Sequence, residues 1–222
     1  MLKLIMKLKE KRMHSRKYTH LLINILPTLL FILIVSLVIF KPSWVHAYDN
    51  SISSLVQSVR TPGFNQVVSI YTQLGNSIPY IIISLIVCLI LILKHLKKAA
   101  LFLACNIVLG NGLNHLIKQI IQRQRPEFRL ISIGGYSFPS GHSVAAMVLF
   151  GSLIFITFQV VHHQLKRNLL ALIYLILMLG IGLSRIYLNV HFPTDVTAGF
   201  LLGLIVLQFT TYLFYGRKIK NA

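Results

Sequence analysis

The chain has 222 residues, 55% of them hydrophobic and 12% charged, and carries 22 Lys and Arg against 4 Asp and Glu. That composition excludes a soluble domain. The net charge of +18 does not point to nucleic acid either, because the cations sit mostly between apolar runs of about 20 residues, the length that spans a bilayer.

Residues 1–20 are basic and are expected to form a cytoplasmic tail, although Leu2, Leu4, Ile5, Met6 and Leu8 between the lysines also suit an amphipathic surface helix. Residues 21–40 are the first expected span. Val45-His46-Ala47 resembles a small-residue cleavage site. The preceding apolar run is longer than the about 7–15 residues of a signal core, and Lys41-Pro42 intervene, so an uncleaved helix is expected. In residues 41–76, Trp44 and Tyr48 suit an interface, and Asp49-Asn50-Ser51 reads as a helix cap. Ile52, Leu55, Val56 and Val59 then recur at helical spacing. An interfacial helix broken at Pro62-Gly63, and a second short one to Gly75, are expected.

The second span is expected at 77–93, before Lys94, Lys97 and Lys98, and the third at 99–117. The third carries Asn106, Asn111, Asn114 and His115, followed by Lys118. Positions 111, 114/115 and 118 share a helix face. In a bilayer such a face turns inward, either as hydrogen-bonding glue between helices or as a substrate lining. A polar loop follows over 118–141, then spans at 142–161, 169–188 and 194–214. Cys88 and Cys105 lie within apolar runs as small hydrophobes, with no disulfide expected.

The expectation is therefore an all-α polytopic bundle of six transmembrane helices with short interfacial helices between the first two. Its domains are a basic tail (1–20), one transmembrane domain (21–215) and a basic tail (216–222). Fifteen Lys and Arg fall on the side of the termini and seven on the other, which places both termini in the cytoplasm. The seven are Lys41, Arg60, Lys118, Arg123, Arg125, Arg129 and Arg185. Cations kept on the disfavoured side suggest binding.

Three clusters share that side: Lys118 with Arg125-Pro126; Pro139-Ser140-Gly141-His142 at the start of the fourth span; and Ser184-Arg185 with His191 and Asp195. A phosphoryl group suits this set. Arg binds its oxygens in bidentate fashion and Lys adds a point charge. A helix start after Ser-Gly offers free N–H groups. His191 and Asp195 are four apart, so the carboxylate can hold one imidazole nitrogen while the other attacks. His142, from another helix, can serve as proton donor. A metal site is disfavoured because the neighbours are cations.

Together the three clusters resemble the signature of the type-2 phosphatidic acid phosphatase superfamily: Lys, six residues, Arg-Pro; Pro-Ser-Gly-His; and Ser-Arg, five residues, His, three residues, Asp. All three parts are present over residues 118–195, with no departure at any signature position. The resemblance implies a metal-independent, cofactor-free membrane phosphatase with its site at the outer face of the cell membrane. It implies His191 as nucleophile, Asp195 orienting it, His142 as acid and then base, and Lys118, Arg125, Arg185, Ser140 and Gly141 holding phosphoryl oxygens. The implied substrate is a lipid phosphate or pyrophosphate, undecaprenyl pyrophosphate or phosphatidylglycerophosphate first and phosphatidic acid next. The partners are the bilayer and that lipid, with no nucleic acid and no obligate protein partner. The rival reading is a non-enzymatic lipid or anion transporter, which would also want inward cations but has no need of a His–Asp couple opposite a second histidine.

Overall fold

The structure, a computed structural model, describes residues 25–219, with side chains as far as Gly216. The basic segment 1–20 and the last residues of the C-terminal segment lie outside the described residues. Helices run α1 Ile25–Phe40, α2 Pro42–Gln57, α3 Pro62–Tyr71, a 3-10 turn Thr72–Gly75, α4 Ser77–Leu93, α5 Lys97–Ile121, α6 Gly141–Val160, α7 Gln164–Tyr187 and α8 Pro193–Ile219. Among the described residues there is no strand. Four helices, α5 to α8, are long and apolar enough to cross a membrane, or up to six spans if the bent pairs α1–α2 and α3–α4 each count as one.

The bends have local causes. α1 and α2 meet at 110° where Pro42, with no N–H to donate, takes the first turn of α2 and pushes Lys41 out of helical geometry. Asp49-Asn50-Ser51 is not a cap. α2 is continuous from Pro42, which places Asp49 in mid-helix and fully buried. Pro62 does not interrupt a helix but opens α3, behind Thr61, whose hydroxyl accepts from the N–H of Phe64 at 3.3 Å.

α6 is the central helix. It packs against α5, α7 and α8, and Val144, Ala145, Val148, Leu149 and Ile156 are all buried. The surrounding helices show the opposite pattern for a soluble protein, with Ile81, Leu85, Leu172, Ile176 and Leu179 exposed. Those faces suit acyl chains rather than water. With lipid as solvent, helices associate through close packing and interior hydrogen bonds. Gly199 and Gly203, four apart on α8, press on α6. A Cβ at Gly199 would lie 2.6 Å from the Ser140 carbonyl oxygen, and one at Gly203 would lie 2.6 Å from Met147 Cβ. Buried Thr210 of α8 donates to Asn106 Oδ1 of α5 at 2.8 Å, so Asn106 is interhelical glue. Asn111 Nδ2 reaches Tyr80 of α4 at 3.4 Å, while His115 is exposed. Cys88 and Cys105 are free thiols.

This alternation of helices brings the starts of α4, α6 and α8 to the same end as the finishes of α5 and α7. The backbone N–H of Ser140 donates to the Asp195 carbonyl at 2.9 Å, tying the starts of α6 and α8 together.

Candidate active site

The turn after α7 sets the position of His191. Asn189 takes a left-handed conformation, φ 56°, which Asn tolerates better than most residues. Its N–H reaches the Ile186 carbonyl at 3.0 Å, and the N–H of Val190 reaches back to the Arg185 carbonyl at 3.1 Å. This is a Schellman closure. The Asn189 side chain then accepts from Gln57 of α2 at 3.0 Å and donates to the Glu127 carbonyl at 2.6 Å. Two chain segments, α2 and the loop at Glu127, are thus pinned to the turn that carries His191.

His191 is 2% exposed. Its Nε2 lies 3.0 Å from Nη1 of Arg125. A guanidinium has donors only, so Nε2 presents its lone pair and the ring proton sits on Nδ1. Nδ1 faces Asp195 Oδ2 at 3.5 Å and has no hydrogen-bond partner inside the protein. The couple is aligned but loose, a geometry that catalytic pairs commonly tighten on binding substrate. Burial, and after it the charges of Arg125, Lys118 and Arg185, hold the His191 imidazole well below its ordinary value of 6.5. The ring is therefore neutral near pH 7.

Asp195 is fully buried. Oδ2 accepts from the Phe192 N–H at 2.9 Å, and Oδ1 accepts from Arg123 at 2.8 Å. Arg123 also pairs with Asp49 at 2.7 Å and donates to the Thr194 hydroxyl at 2.8 Å, while its guanidinium lies over the Phe192 ring at 4.1 Å. Asp49 closes the network by accepting from both the N–H and the hydroxyl of Thr194, at 2.9 and 2.8 Å. Two buried carboxylates thus share one arginine. Sequence reasoning missed Asp49 and Arg123. One available signal was the scarcity of acids: Asp49 is one of only four in the chain.

The cations divide by task. Arg60 caps the end of α7, its Nε donating to the Tyr187 carbonyl at 2.9 Å. Arg129 serves the Ile133 carbonyl within its own loop. Lys118, Arg125 and Arg185 act together on His191. Lys118 Nζ donates to the Tyr136 and Ser137 carbonyls at 2.7 and 3.2 Å. Arg125 Nη1 also donates to the Val190 carbonyl at 2.8 Å. Arg185 is fully buried, yet only Nη1 is engaged, donating to Thr72 at 2.7 Å. Its Nε and Nη2 have no partner in the protein. A buried guanidinium so arranged costs several kcal/mol unless an anion meets it, at least ~3 kcal/mol by the cost of breaking a buried pair.

Ser140 is the N-cap of α6, its Oγ accepting from the Ser143 N–H at 3.4 Å. The N–H groups of Gly141 and His142, at the first two helical positions, have no intrahelical acceptor. Gly141 packs closely on buried Asn114, where a Cβ would lie 3.2 Å from Nδ2. His142 is half-buried, with Nε2 3.0 Å from Oδ1 of Asn76, and feels the charges of Arg185, His191 and Arg125. All eight residues singled out in the sequence therefore belong to one end of the bundle. Among the described residues no group of three or more His, Cys, Asp or Glu is placed to hold a metal.

Comparison with known proteins bears on this arrangement. The PAP2 superfamily matches residues 99–219. Phosphatidylglycerophosphatase B of Bacillus subtilis is 34% identical over 198 residues, covering 86% of this chain and 94% of its own. An undecaprenyl-diphosphatase of Sulfolobus acidocaldarius is 29% identical over 126 residues, 53% of this chain and 56% of its own. The crystal structure of a transmembrane PAP2 type phosphatidylglycerolphosphate phosphatase from Bacillus subtilis superposes with a TM-score of 0.79 at 27% identity, covering 90% of this chain and 98% of that one.

Proposed function

The chain belongs to the PAP2 superfamily, and from that premise we propose that it removes the terminal phosphate of a membrane lipid phosphate or pyrophosphate through a phosphohistidine on His191. The observation that carries this reading is the meeting of a neutral, lone-pair-forward His191 with a buried Arg185 that has two unpaired nitrogens. A phosphoryl group satisfies both at once.

In the first step Nε2 of His191 attacks phosphorus, the bond to the lipid oxygen breaks, and His142 gives that oxygen a proton. Asp195 supports the positive charge that develops on the phosphorylated imidazole. Lys118, Arg125, Arg185, the Ser140 hydroxyl and the Gly141 N–H hold the equatorial oxygens, where charge concentrates in the transition state. In the second step His142 takes a proton from water, the hydroxide attacks phosphorus, the P–N bond breaks, and inorganic phosphate leaves with His191 restored. Side-chain cations supply the charge in this scheme, so activity is expected to survive EDTA.

The length over which the chain matches phosphatidylglycerophosphatase B favours phosphatidylglycerophosphate as substrate. Undecaprenyl pyrophosphate follows, on the shorter match to a diphosphatase, and then phosphatidic acid. The charge distribution favours six spans, with both termini in the cytoplasm and the site at the extracytoplasmic face. The domain plan is the one expected above, a single transmembrane unit over 21–215 between two basic tails. Phosphate release by purified protein in detergent, from a panel of lipid phosphates, tests the activity. Release that His191→Ala abolishes is expected, and no release from any of them overturns the reading. Impermeant thiol labelling in intact cells tests the orientation: a cysteine near Glu127 should react and one near Lys166 should not.

A further inference from the structure

The surroundings of the proton donor lie outside the signature. They come from the segment Thr72–Asn76, the 3-10 turn and the N-cap of α4. Asn76 Oδ1 stands 3.0 Å from Nε2 of His142, and the Thr72 backbone hydrogen-bonds the same ring. Gly75 lies flat against it, since a Cβ there would be 2.5 Å from His142 Cδ2. The buried Thr72 hydroxyl takes Nη1 of Arg185 at 2.7 Å and the Ser184 hydroxyl at 3.0 Å. One short turn thus touches both the proton donor and a phosphate-binding arginine.

We propose that Asn76 is a positioning residue for His142, its carboxamide fixing the imidazole in the orientation from which it protonates the leaving oxygen. The inference rests on the phosphatase reading above. Its chemistry follows from the partner's charge. His191 has a carboxylate partner, which supports the cation that forms when its nitrogen bonds phosphorus. His142 must release and recover a proton within one turnover. A carboxamide suits that task, because its oxygen accepts from Nε2–H in both states of the ring and leaves the other ring nitrogen to give and take the proton. A carboxylate would add a charge. Beside Arg185, Arg125 and His191, the charged and titratable groups that act on His142, it would also compete with the phosphoryl group for the cations.

Leaving-group dependence distinguishes this role from a structural one. When His191 attacks, the lipid P–O bond breaks and the electron pair stays on an alkoxide, which needs the proton from His142. A nitrophenolate leaves without one. Removing Asn76 should therefore matter for the first ester and little for the second. The test compares wild type, Asn76→Ala, His142→Ala and the double variant on a lipid phosphate monoester and on p-nitrophenyl phosphate. With general acid catalysis commonly worth about 10²–10⁴-fold, Asn76→Ala should lose about 10-fold or more in the rate of the first step, read as leaving-group release in a single turnover, on the lipid ester and under about 3-fold on the nitrophenyl ester. The double variant should be no slower than His142→Ala, because the two residues act as a unit. Gly75→Ala provides a second route. Its Cβ displaces the ring while leaving the amide in place, and it should show the same selective loss. Equal losses on both esters, additive losses in the double variant, or no loss at all would each overturn the role of Asn76 while leaving the phosphatase intact. A wild type that hydrolyses neither ester would overturn the phosphatase reading itself.

Discussion

The two histidines are held in opposite ways. His191 is 2% exposed, sits on a Schellman closure, and faces a carboxylate that Arg123 clamps to a second buried carboxylate from α2. His142 is half-buried at the start of α6, its imidazole facing a neutral amide on a short turn. In the proposed mechanism the nucleophile must return to the same place after each covalent cycle, and several segments hold the turn and the carboxylate beside it. The acid and base must change protonation state twice per turnover, and its ring faces an uncharged amide although Arg185 and Arg125 act on it from nearby.

Removing the clamp breaks that contrast most severely. Arg123→Ala leaves Asp49 and Asp195 buried without their cation, a change expected to cost about 3–5 kcal/mol. Thermal unfolding in detergent should show a large fall, with phosphate release lost from lipid and nitrophenyl esters alike. Asp49→Asn removes one charge and leaves one accepting oxygen where there were two, so part of the hydrogen bonding is lost, but Arg123 stays to meet Asp195, and it should cost less. Equal activity in wild type and Arg123→Ala would mean that the network does not hold the nucleophile.

A smaller effect should come from the contact that sets the two halves at their separation. Gly199→Ala drives a Cβ into the Ser140 carbonyl, at 2.6 Å, and into Ser143 Cβ, at 2.8 Å. Overpacking of this kind costs typically about 1–3 kcal/mol. Because the start of α6 must move, activity should fall along with stability. Gly63→Ala, with nothing within 4 Å of the added carbon, is the control and should be neutral.

The gentlest probe is pH. Burial and three nearby cations lower the His191 pKa, so the neutral imidazole that the proposed mechanism needs persists as pH falls. The acid limb of kcat/KM, corrected for ionisation of the substrate phosphate, should lie below the ordinary imidazole value of 6.5. Lys118→Ala removes one of those cations and should move the limb upward. A limb at or above 6.5 in the wild type would contradict a buried, cation-flanked nucleophile.

Much of this was legible in the sequence. The apolar runs predicted the helices well: the second span was expected at 77–93 and α4 is Ser77–Leu93, because in lipid the length of an apolar run is itself the signal. The three motifs predicted which residues gather at one end, and resemblance implied the roles proposed for them. What escaped was pairing over long separations. Asp49-Asn50-Ser51 matches a cap locally, but Pro42 starts the helix earlier, and the partners of Asp49 are Arg123 and Thr194, 74 and 145 residues away. Arg123 counted only as a cation on one side. Asn76 fell between the second short helix and the second span, and nothing local indicates that it meets His142, 66 residues on. The polar face of α5 divides in a way no periodicity shows, with Asn106 bonded to Thr210, Asn114 under Gly141, and His115 outside.

The most direct measurement is to trap the covalent intermediate. Wild-type protein mixed with a phosphate ester carrying a good leaving group, then quenched in base, should carry a phosphoryl group that is stable to base and labile to acid, as a P–N bond requires. His142→Ala should still form it, and His191→Ala should not. An adduct that survives in His191→Ala and vanishes in His142→Ala would show that the nucleophile and the acid are reversed, and that the Asp195 couple does not mark the attacking histidine.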